Sequence, residues 1–210
     1  MSTSKRPAAR VGVRTPSRDV QSALVDAAEA VLRREGAAAV TVRAVAIEAG
    51  VAPMGVYNRF GSKEGMVEAL LIRGFEGLQR AVAARGETDP IDRLRQSGIR
   101  YRLFALANRE HYMVMFGGTF GAGEPSPELL ACAGGSFREL VDHVSTAMAA
   151  GRLTAGDPQH VAQQIWSAVH GAVLLEMGGR TFTADPEITY LALLDLLIRG
   201  LSVPSAEPSR

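Results

Sequence analysis

The sequence predicts an all-α fold of about nine helices, with a three-helix N-terminal domain followed by a larger helical bundle. One observation is that five prolines directly follow a Ser, Thr or Asp: Thr15-Pro16, Asp89-Pro90, Ser126-Pro127, Asp157-Pro158 and Asp185-Pro186. Such a pair begins a helix, because the side-chain oxygen caps a free amide and proline removes a donor that would have no partner there. A second observation is that apolar residues recur at helical spacing, whereas no stretch of the sequence alternates like a strand.

Four of the predicted helices have a clear apolar stripe, and four glycines predict helix ends. The stripes run through residues 20–31, 130–148, 161–172 and 188–198. Glycine predicts helix ends, because it adopts the left-handed conformation of a C-cap; these glycines are Gly36, Gly50, Gly151 and Gly200. We expect a basic flexible arm (1–16), an N-terminal domain (17–71), a C-terminal domain (72–202) with a loop at 117–125, and a flexible tail (203–210).

Composition restricts the classes of protein to which the chain can belong. Hydrophobic residues make up 47% and charged residues 21% of the 210 residues, which is enough apolar material to bury a core. The single cysteine, Cys132, excludes an internal disulfide framework and a cysteine-based zinc site. No apolar run approaches the length of a membrane span, and the basic N-terminus lacks the apolar segment of a secretory signal. We therefore expect a cytoplasmic protein without membrane association.

The net charge of +1 hides an uneven distribution along the chain. Residues 1–65 carry ten Lys and Arg against six Asp and Glu, whereas residues 66–210 carry 13 against 16. This basic front predicts that a polyanion contacts the N-terminal third. A basic disordered tail explains the charge equally well, so charge alone leaves both interpretations open.

Residues 41–60 predict two short helices joined by a tight turn. Thr41 caps the first helix, Gly50 permits the turn, and Pro53 begins the second helix. The inward-facing residues are expected to be Val42, Val45, Ala46, Ala49, Val51 and Val56. A small residue at 46 and a branched one at 56 allow a steep crossing, so the second helix protrudes and fits the major groove of B-DNA. Any two helices with a glycine turn share part of this helix-turn-helix pattern.

The segment from about residue 17 to residue 71 closely resembles the DNA-binding domain of TetR-family transcriptional regulators. The residues that carry the resemblance are Thr41-Val42-Arg43, Ala46, Ala49-Gly50-Val51, Val56-Tyr57, Phe60 and Ser62-Lys63-Glu64. The resemblance implies that Thr41, Tyr57 and Lys63 contact DNA phosphates. It also implies that base edges or nearby backbone are faced by Arg43, Pro53, Met54, Gly55 and Asn58.

Two further features of this segment affect the expected DNA contacts. Ala52 departs from the family pattern, in which a Ser or Thr commonly caps the recognition helix, so a hydroxyl contact to phosphate is missing there. Ser62 is expected to cap the next helix, which makes the amides of Lys63 and Glu64 a natural phosphate site.

The C-terminal domain resembles the ligand-sensing and dimerising domain of a TetR subgroup named for its Trp, His and Gly. Trp166 and His170 lie four residues apart on one helix face, and Gly171 follows them. We expect an apolar effector pocket with this pair as its polar handle and a lining of Phe104, Met113, Met115, Phe116, Phe137 and Met148. The alternative is a packed tryptophan beside a hydrogen-bonded core histidine, with each Met or Phe serving core packing.

The sequence holds no pattern typical of catalysis, a cofactor or a metal site. His111, His143 and His160 do not form a metal-binding pair, and Cys132 is interpreted as a small buried hydrophobe rather than a redox sensor. No glycine-rich phosphate loop and no G-x-S-x-G element is present in the sequence. We therefore expect no enzymatic activity, no metal and no cofactor.

The last two predicted helices, 158–177 and 186–200, carry apolar residues on most of their sides. A helix at the end of a monomer has too few neighbours to bury so much, so these helices predict a homodimer, as the resemblance also implies. A charge at Leu194 is expected to split that dimer. The sequence thus predicts a homodimeric repressor that binds a palindromic operator and is released by an apolar small molecule. The alternatives are a DNA-binding regulator without an effector, and a helical carrier or enzyme.

Overall fold

The computed structural model describes residues 17–118 and 124–203, and within these ranges it contains nine α-helices and no strand. The helices are α1 (Ser17–Glu35), α2 (Val42–Glu48), α3 (Pro53–Phe60), α4 (Lys63–Val82), α5 (Pro90–Ala107), α6 (Arg109–Phe116), α7 (Pro127–Ala149), α8 (Pro158–Met177) and α9 (Pro186–Leu201). A short 3₁₀ turn, Ala37–Ala39, links α1 to α2. The predicted all-α fold is confirmed.

Four of the five proline-based helix starts are confirmed by their capping hydrogen bonds. Backbone N–H groups in the first turns of α5, α7, α8 and α9 donate to the side chains of Asp89, Ser126, Asp157 and Asp185. The pair Thr15-Pro16 lies outside the described residues. These caps satisfy amides that the helices themselves leave free, which fixes where each long helix of the bundle begins.

Three of the four predicted glycine stops are confirmed, and the fourth is wrong. The glycines that follow α1, α2 and α7 have positive φ; they are Gly36, Gly50 and Gly151. Gly200 lies inside α9, which continues to Leu201. The N–H of Thr154 donates to the Leu201 carbonyl over 2.8 Å, so a tertiary contact holds the last turn where glycine alone would favour an end.

The N-terminal domain packs α1, α2 and α3 against the first half of α4. Its core is fully apolar, and its most deeply buried residues are Leu24, Ala28, Val31, Val45, Ala46, Val56 and Met66. Arg73 of α4 forms an ion pair with Asp26 of α1, and also donates to the Ser22 hydroxyl over 3.0 Å. Apolar burial and this clamp together fix α4 to the small domain.

The larger bundle is built around the second half of α4, which packs against α5, α6 and α7. Helix α8 packs against α5, α7 and α9, and α9 also packs against α5. The buried apolar residues of both domains form one continuous core. Since α4 takes part in both halves of that core, a displacement of α4 in the bundle is transmitted to the small domain.

Gly74 lies where α6 packs closely against α4. A Cβ at this position would lie 2.6 Å from His111 Nε2 and 2.7 Å from Met115 Sδ, both on α6. Nε2 of His111 is itself tied to the Leu70 carbonyl at 2.8 Å, so the ring has little freedom to retreat. The absence of a side chain at residue 74 therefore sets the spacing between α4 and α6.

We expect Gly74→Ala to lower the free energy of unfolding by about 1–3 kcal/mol, because the added methyl group overpacks the α4–α6 contact. Gly134→Ala on α7 is the matched control: its Cβ would meet only the far end of the exposed Arg138 side chain, which can rotate away. The control should gain up to about 1 kcal/mol from helix propensity. Urea unfolding measures both, and a Gly74→Ala variant at least as stable as the wild type would contradict the packing described.

Candidate functional site

Hydrogen bonds fix both the start of α2 and the turn between α2 and α3. The Thr41 hydroxyl accepts the Ala44 N–H over 3.1 Å and caps α2, as predicted. Gly50 has a φ of 67°, and the Val51 N–H reaches back to the Ala46 carbonyl over 2.9 Å. The prediction that Val51 points into the core is wrong, since Val51 is 40% exposed. Val56 is the buried residue of α3 and has no exposed surface.

Burial of Val56 turns the opposite side of α3 toward solvent. All eight residues predicted to contact DNA are exposed on the surface formed by α2, α3 and the start of α4: Thr41, Arg43, Pro53, Met54, Gly55, Tyr57, Asn58 and Lys63. The structure therefore leaves all the predicted phosphate contacts and base contacts accessible to a binding partner.

The two ends of α3 are fixed differently. Its N-cap, Ala52, makes no side-chain capping bond, and Pro53 at the first helical position presets the backbone instead. Near its C-terminus, Arg59 donates to Gln21 Oε1 of α1 over 2.7 Å, and Gly61 ends the helix with a φ of 75°. Helix α3 is thus anchored at its far end, while its N-terminal turn projects.

The predicted phosphate site at the start of α4 already interacts with a carboxylate. Ser62 caps α4 by accepting the Gly65 N–H over 3.1 Å. The Glu64 carboxylate accepts from its own backbone N–H and from the Ser62 hydroxyl, and these bonds hold the pKa of Glu64 below its ordinary value. A phosphate approaching these amides must displace that carboxylate. Lys63, exposed beside it, carries the positive charge of this site.

A second candidate site is a cavity of about 280 Å³ inside the larger bundle. Its wall includes Phe75 and Val82 of α4, Phe116 of α6, and residues of α5, α7, α8 and α9. The other lining residues are Leu94, Ser97, Gly98, Tyr101, Ala133, Ser136, Phe137, Leu140, Ile165, Trp166, Val169, Leu194, Leu197 and Ile198. None of these residues carries a charge, so the cavity suits a mostly apolar molecule.

Three of the eight residues predicted to bind the ligand line this cavity: Phe116, Phe137 and Trp166. The others, Phe104, Met113, Met115, Met148 and His170, are not part of its lining. Met113 is 44% exposed, and Met115 is buried against α4. The sequence reasoning missed the contributions of α4, α5 and α9. A usable signal was the pair Ser97-Gly98, which interrupts the inward-facing stripe of α5 between Leu94 and Tyr101.

The position of Leu194 contradicts the expectation that this residue lies in a dimer interface. The sequence places Leu194 on the surface between two chains, but it is 3% exposed and packs against Gly98 of α5. It lines the cavity, so it belongs to the core of a single chain. The reason is that α9 turns this side toward α5, and other positions of α9 face outward.

One wall of the cavity is backed by a buried hydrogen-bond network. Trp166 Nε1 donates to the Tyr101 hydroxyl over 3.1 Å, and the two hydroxyls of Tyr101 and Tyr112 are 2.6 Å apart. His170 Nδ1 lies 2.6 Å from the Tyr112 hydroxyl and 2.9 Å from that of Tyr101. Burial raises the pKa of both tyrosines and lowers that of His170. The network is therefore neutral, and His170 Nδ1 accepts a hydrogen bond from a tyrosine hydroxyl.

The α8–α9 layer is tied to α5 by a largely buried ion group. Arg102, 8% exposed, donates to Glu176 of α8 through two nitrogens at 2.7 and 2.8 Å. A third nitrogen of Arg102 reaches Glu187 of α9 at 3.2 Å. The guanidinium also lies 5.8 Å from the ring centroid of Tyr190. These bonds fix the position of α8 and α9 relative to α5.

His111 connects the two domains. Its Nε2–H donates to the Leu70 carbonyl of α4 over 2.8 Å, while Nδ1 lies 3.8 Å from the Glu29 carboxylate of α1. Burial lowers the pKa of His111 below its ordinary value of 6.5, and the nearby Arg73 and Arg33 act in the same direction. The ring is therefore neutral at pH 7.

Neither a metal cluster nor a membrane-spanning helix is found in the described parts of the chain. In ranges 17–118 and 124–203, no three His, Cys, Asp or Glu side chains are grouped to hold a metal ion. Among the helices of the same ranges, none has the length and apolar character needed to cross a bilayer.

Two family matches together cover most of the chain. Residues 94–201 match the tetracyclin repressor-like C-terminal domain, and residues 24–70 match the bacterial regulatory proteins of the tetR family. An uncharacterised helix-turn-helix transcriptional regulator of Mycobacterium tuberculosis is 27% identical over 203 residues, which is 93% of this chain and 89% of that protein.

Solved structures share the same architecture. A Rhodococcus sp. RHA1 protein of unknown function superposes with a TM-score of 0.81 at 26% identity, covering 93% of this chain and all of the other. A TetR family transcriptional regulator from Thermus thermophilus superposes with a TM-score of 0.63 at 21% identity, covering 86% of this chain and 99% of the other. The second likeness shows the fold alone.

We expect the protein to lose stability as the pH falls below about 6.5, because His111 and His170 are buried neutral and the unfolded chain binds their protons more readily. Each histidine contributes at most about 1.4 kcal/mol per pH unit below that value. Urea unfolding between about pH 7.5 and about pH 5.5 measures the slope, in a range where most carboxylates stay ionised.

His111→Gln keeps an N–H donor for the Leu70 carbonyl and should reduce this slope. His160→Gln, at an exposed histidine of α8, controls for the substitution itself. A stability that is flat across this pH range would show that neither buried ring differs in proton affinity between the folded and unfolded chains.

Proposed function

Because the chain belongs to the TetR family of DNA-binding transcriptional regulators, we propose that it is a homodimeric repressor that a small molecule releases from a palindromic operator. The observation that carries this proposal is that one helix, α4, bears Lys63 at the helix-turn-helix surface and Phe75 and Val82 in the cavity wall. A ligand in the cavity thereby contacts the same rigid element that presents a DNA-binding residue.

The DNA-binding role rests on the exposed face of α2 and α3. Helix α3 enters the major groove, where Met54 and Gly55 read shape and thymine methyl groups and Asn58 offers an amide to base edges. Arg43, in the first turn of α2, reaches a base edge or the adjacent backbone. Tyr57 and Lys63 bind phosphates and set the orientation of the domain.

The dimer rests on the outward faces of α8 and α9. Four large apolar side chains are exposed there: Leu174, Leu175, Ile188 and Leu196. A Cβ at Gly171, on the same side of α8, would meet no atom of another described helix within 4 Å. A two-fold axis that pairs α8 and α9 with their copies buries these side chains and lets the partner helix approach Gly171. Two recognition helices then meet major grooves about 34–36 Å apart.

The effector role rests on the open cavity beside Trp166. A regulator without an effector has no need of such a volume, and side-chain packing would close it at a gain in stability. The ligand favours the arrangement of α4 to α9 that best encloses it, and release follows if that arrangement misplaces the two recognition helices. Linkage requires that operator DNA weakens ligand binding by the same factor by which the ligand weakens operator binding.

To test DNA binding, bound sequences are selected from random duplex DNA and the best sequence is titrated with salt. Lys63→Gln should weaken binding to operator and random DNA alike, since one phosphate contact is lost. It should also reduce the slope of log affinity against log salt concentration by about 1. Arg43→Ala should cost about 1–3 kcal/mol and relax the sequence preference.

Arg180→Gln removes one charge from the segment between α8 and α9 and serves as the matched control. It should change neither the affinity nor the slope. Selection that enriches no sequence, together with unchanged binding in the two helix-turn-helix variants, would refute the proposed DNA interface.

To test assembly, a charge is placed on the outward apolar face. Leu175→Glu and Leu196→Glu, at positions 51% and 60% exposed in one chain, should shift the protein to monomer, because each buries an unpaired ion in the dimer. Leu130→Glu on α7, at a position 59% exposed, is the control and should stay dimeric. Sedimentation at micromolar concentration reads the result. A monomeric wild type, or dimers that persist in both variants, would rule out this interface.

A further inference from the structure

We infer that the cavity ligand is uncharged and mostly apolar, and that it carries one polar group that hydrogen-bonds to Ser97 and Ser136. This inference rests on the proposed role of the cavity as the effector site. It adds the chemical class of the effector and the two hydroxyls that recognise it.

The exclusion of charge follows from the cavity wall. All seventeen lining residues are uncharged, so an ammonium or carboxylate in the cavity has no partner among them. Arg102 is the nearby buried cation, but its nitrogens are already bonded to Glu176 and Glu187. An ion without a partner in such a site loses its hydration with no compensation.

Ser97 supplies the evidence for a polar group on the ligand. It is 4% exposed, it lines the cavity, and its hydroxyl has no hydrogen-bond partner within the described parts of the chain. The Ser97 oxygen is not fully enclosed by atoms of the described residues, so it faces the open space of the cavity, where a polar group of a ligand can bond it.

Other helical hydroxyls in this protein behave differently. Thr146 donates to the Asp142 carbonyl over 2.7 Å, and Ser167 donates to the Gln163 carbonyl over 2.8 Å, four residues back in each case. Ser97 of α5 and Ser136 of α7 line the cavity and lack such a bond within the described residues. Two elements therefore present an available hydroxyl to the same space.

Tyr101 also brings a hydroxyl to the wall, but the hydrogen-bonding capacity of that hydroxyl is already used. Its oxygen accepts from Trp166 Nε1, and its single proton goes to Tyr112 or His170. The polar group of the ligand is thus assigned to the serine hydroxyls rather than to the tyrosine network.

The size of the cavity limits the ligand. A cavity of about 150 Å³ accepts benzene, so by proportion 280 Å³ holds a molecule of about eleven heavy atoms. The probes 1-decanol, decanoate and decylammonium are of this size and differ mainly in the charge of their polar end.

Trp166 is the single tryptophan of the chain and lines the cavity, so its fluorescence reports occupancy directly. Titration at about pH 7.5, below the concentration at which the probes aggregate, should show saturable binding of 1-decanol. Decanoate and decylammonium should bind at least about thirtyfold more weakly, because nothing in the wall pairs with their charge.

The hydroxyl contacts are tested by Ser97→Ala and Ser136→Ala. Each should weaken the binding of 1-decanol by about three- to tenfold, the effect of one lost hydrogen bond. Ser97→Ala should leave the thermal unfolding midpoint of the free protein unchanged or raise it, since no hydrogen bond within the described parts of the chain is lost. Ser167→Ala, at an exposed helical serine of α8, is the control and should bind 1-decanol like the wild type.

The outcomes separate this inference from the proposed function. Decanoate or decylammonium binding as tightly as 1-decanol, or full binding in both serine variants, overturns the inference and leaves the cavity as a ligand site. Failure of all three probes to bind overturns the inference together with the effector role. Binding of 1-decanol that leaves operator affinity unchanged supports the ligand class but refutes release from DNA.

Discussion

The position of α4 is the constraint on which both halves of the molecule depend. Its twenty residues span about 30 Å, so Lys63 at one end and Val82 at the other belong to different domains but move as one body. Gly74 allows α6 to lie directly against it, and His111 of α6 bonds the Leu70 carbonyl while approaching α1. A shift of α6 therefore displaces α4 and, with it, the small domain, because closely packed helices transmit such displacements.

The cavity and the outward face of α8 and α9 are connected through the same side chains. Trp166 forms part of the wall, and the hydroxyl of Tyr101 links it to Tyr112 and His170. Arg102 joins α5 to both of the last helices. A ligand that repositions Trp166 acts on a network that spans α5, α6 and α8, and this offers a route from the cavity to the outward face of α8 and α9.

Local chemistry explains which parts of the structure could be predicted from the sequence. Asp89, Ser126 and Asp185 cap helices through bonds within one turn, and the Gly50 turn is equally local, so the sequence contains the whole interaction. The cavity depends on the rotation of each helix relative to several others. Met115 therefore faces α4 rather than the cavity, and Leu194 faces α5 rather than a partner chain. Ser97 was missed because a single serine on a helix normally indicates a solvent-exposed position.

The ion group of Arg102 limits how the sequence of this protein can change over time. Arg102 and Glu176 are both largely buried and share two hydrogen bonds. Loss of Arg102 leaves the Glu176 carboxylate buried without its partner at a cost of about 3–5 kcal/mol, and loss of Glu176 leaves Arg102 with only the more exposed Glu187. An apolar pair of similar volume costs little or even stabilises. A lineage must therefore cross a poorly folded intermediate to reach that equally stable alternative. Positions 102 and 176 are expected to be inherited as a pair, retained together or replaced together.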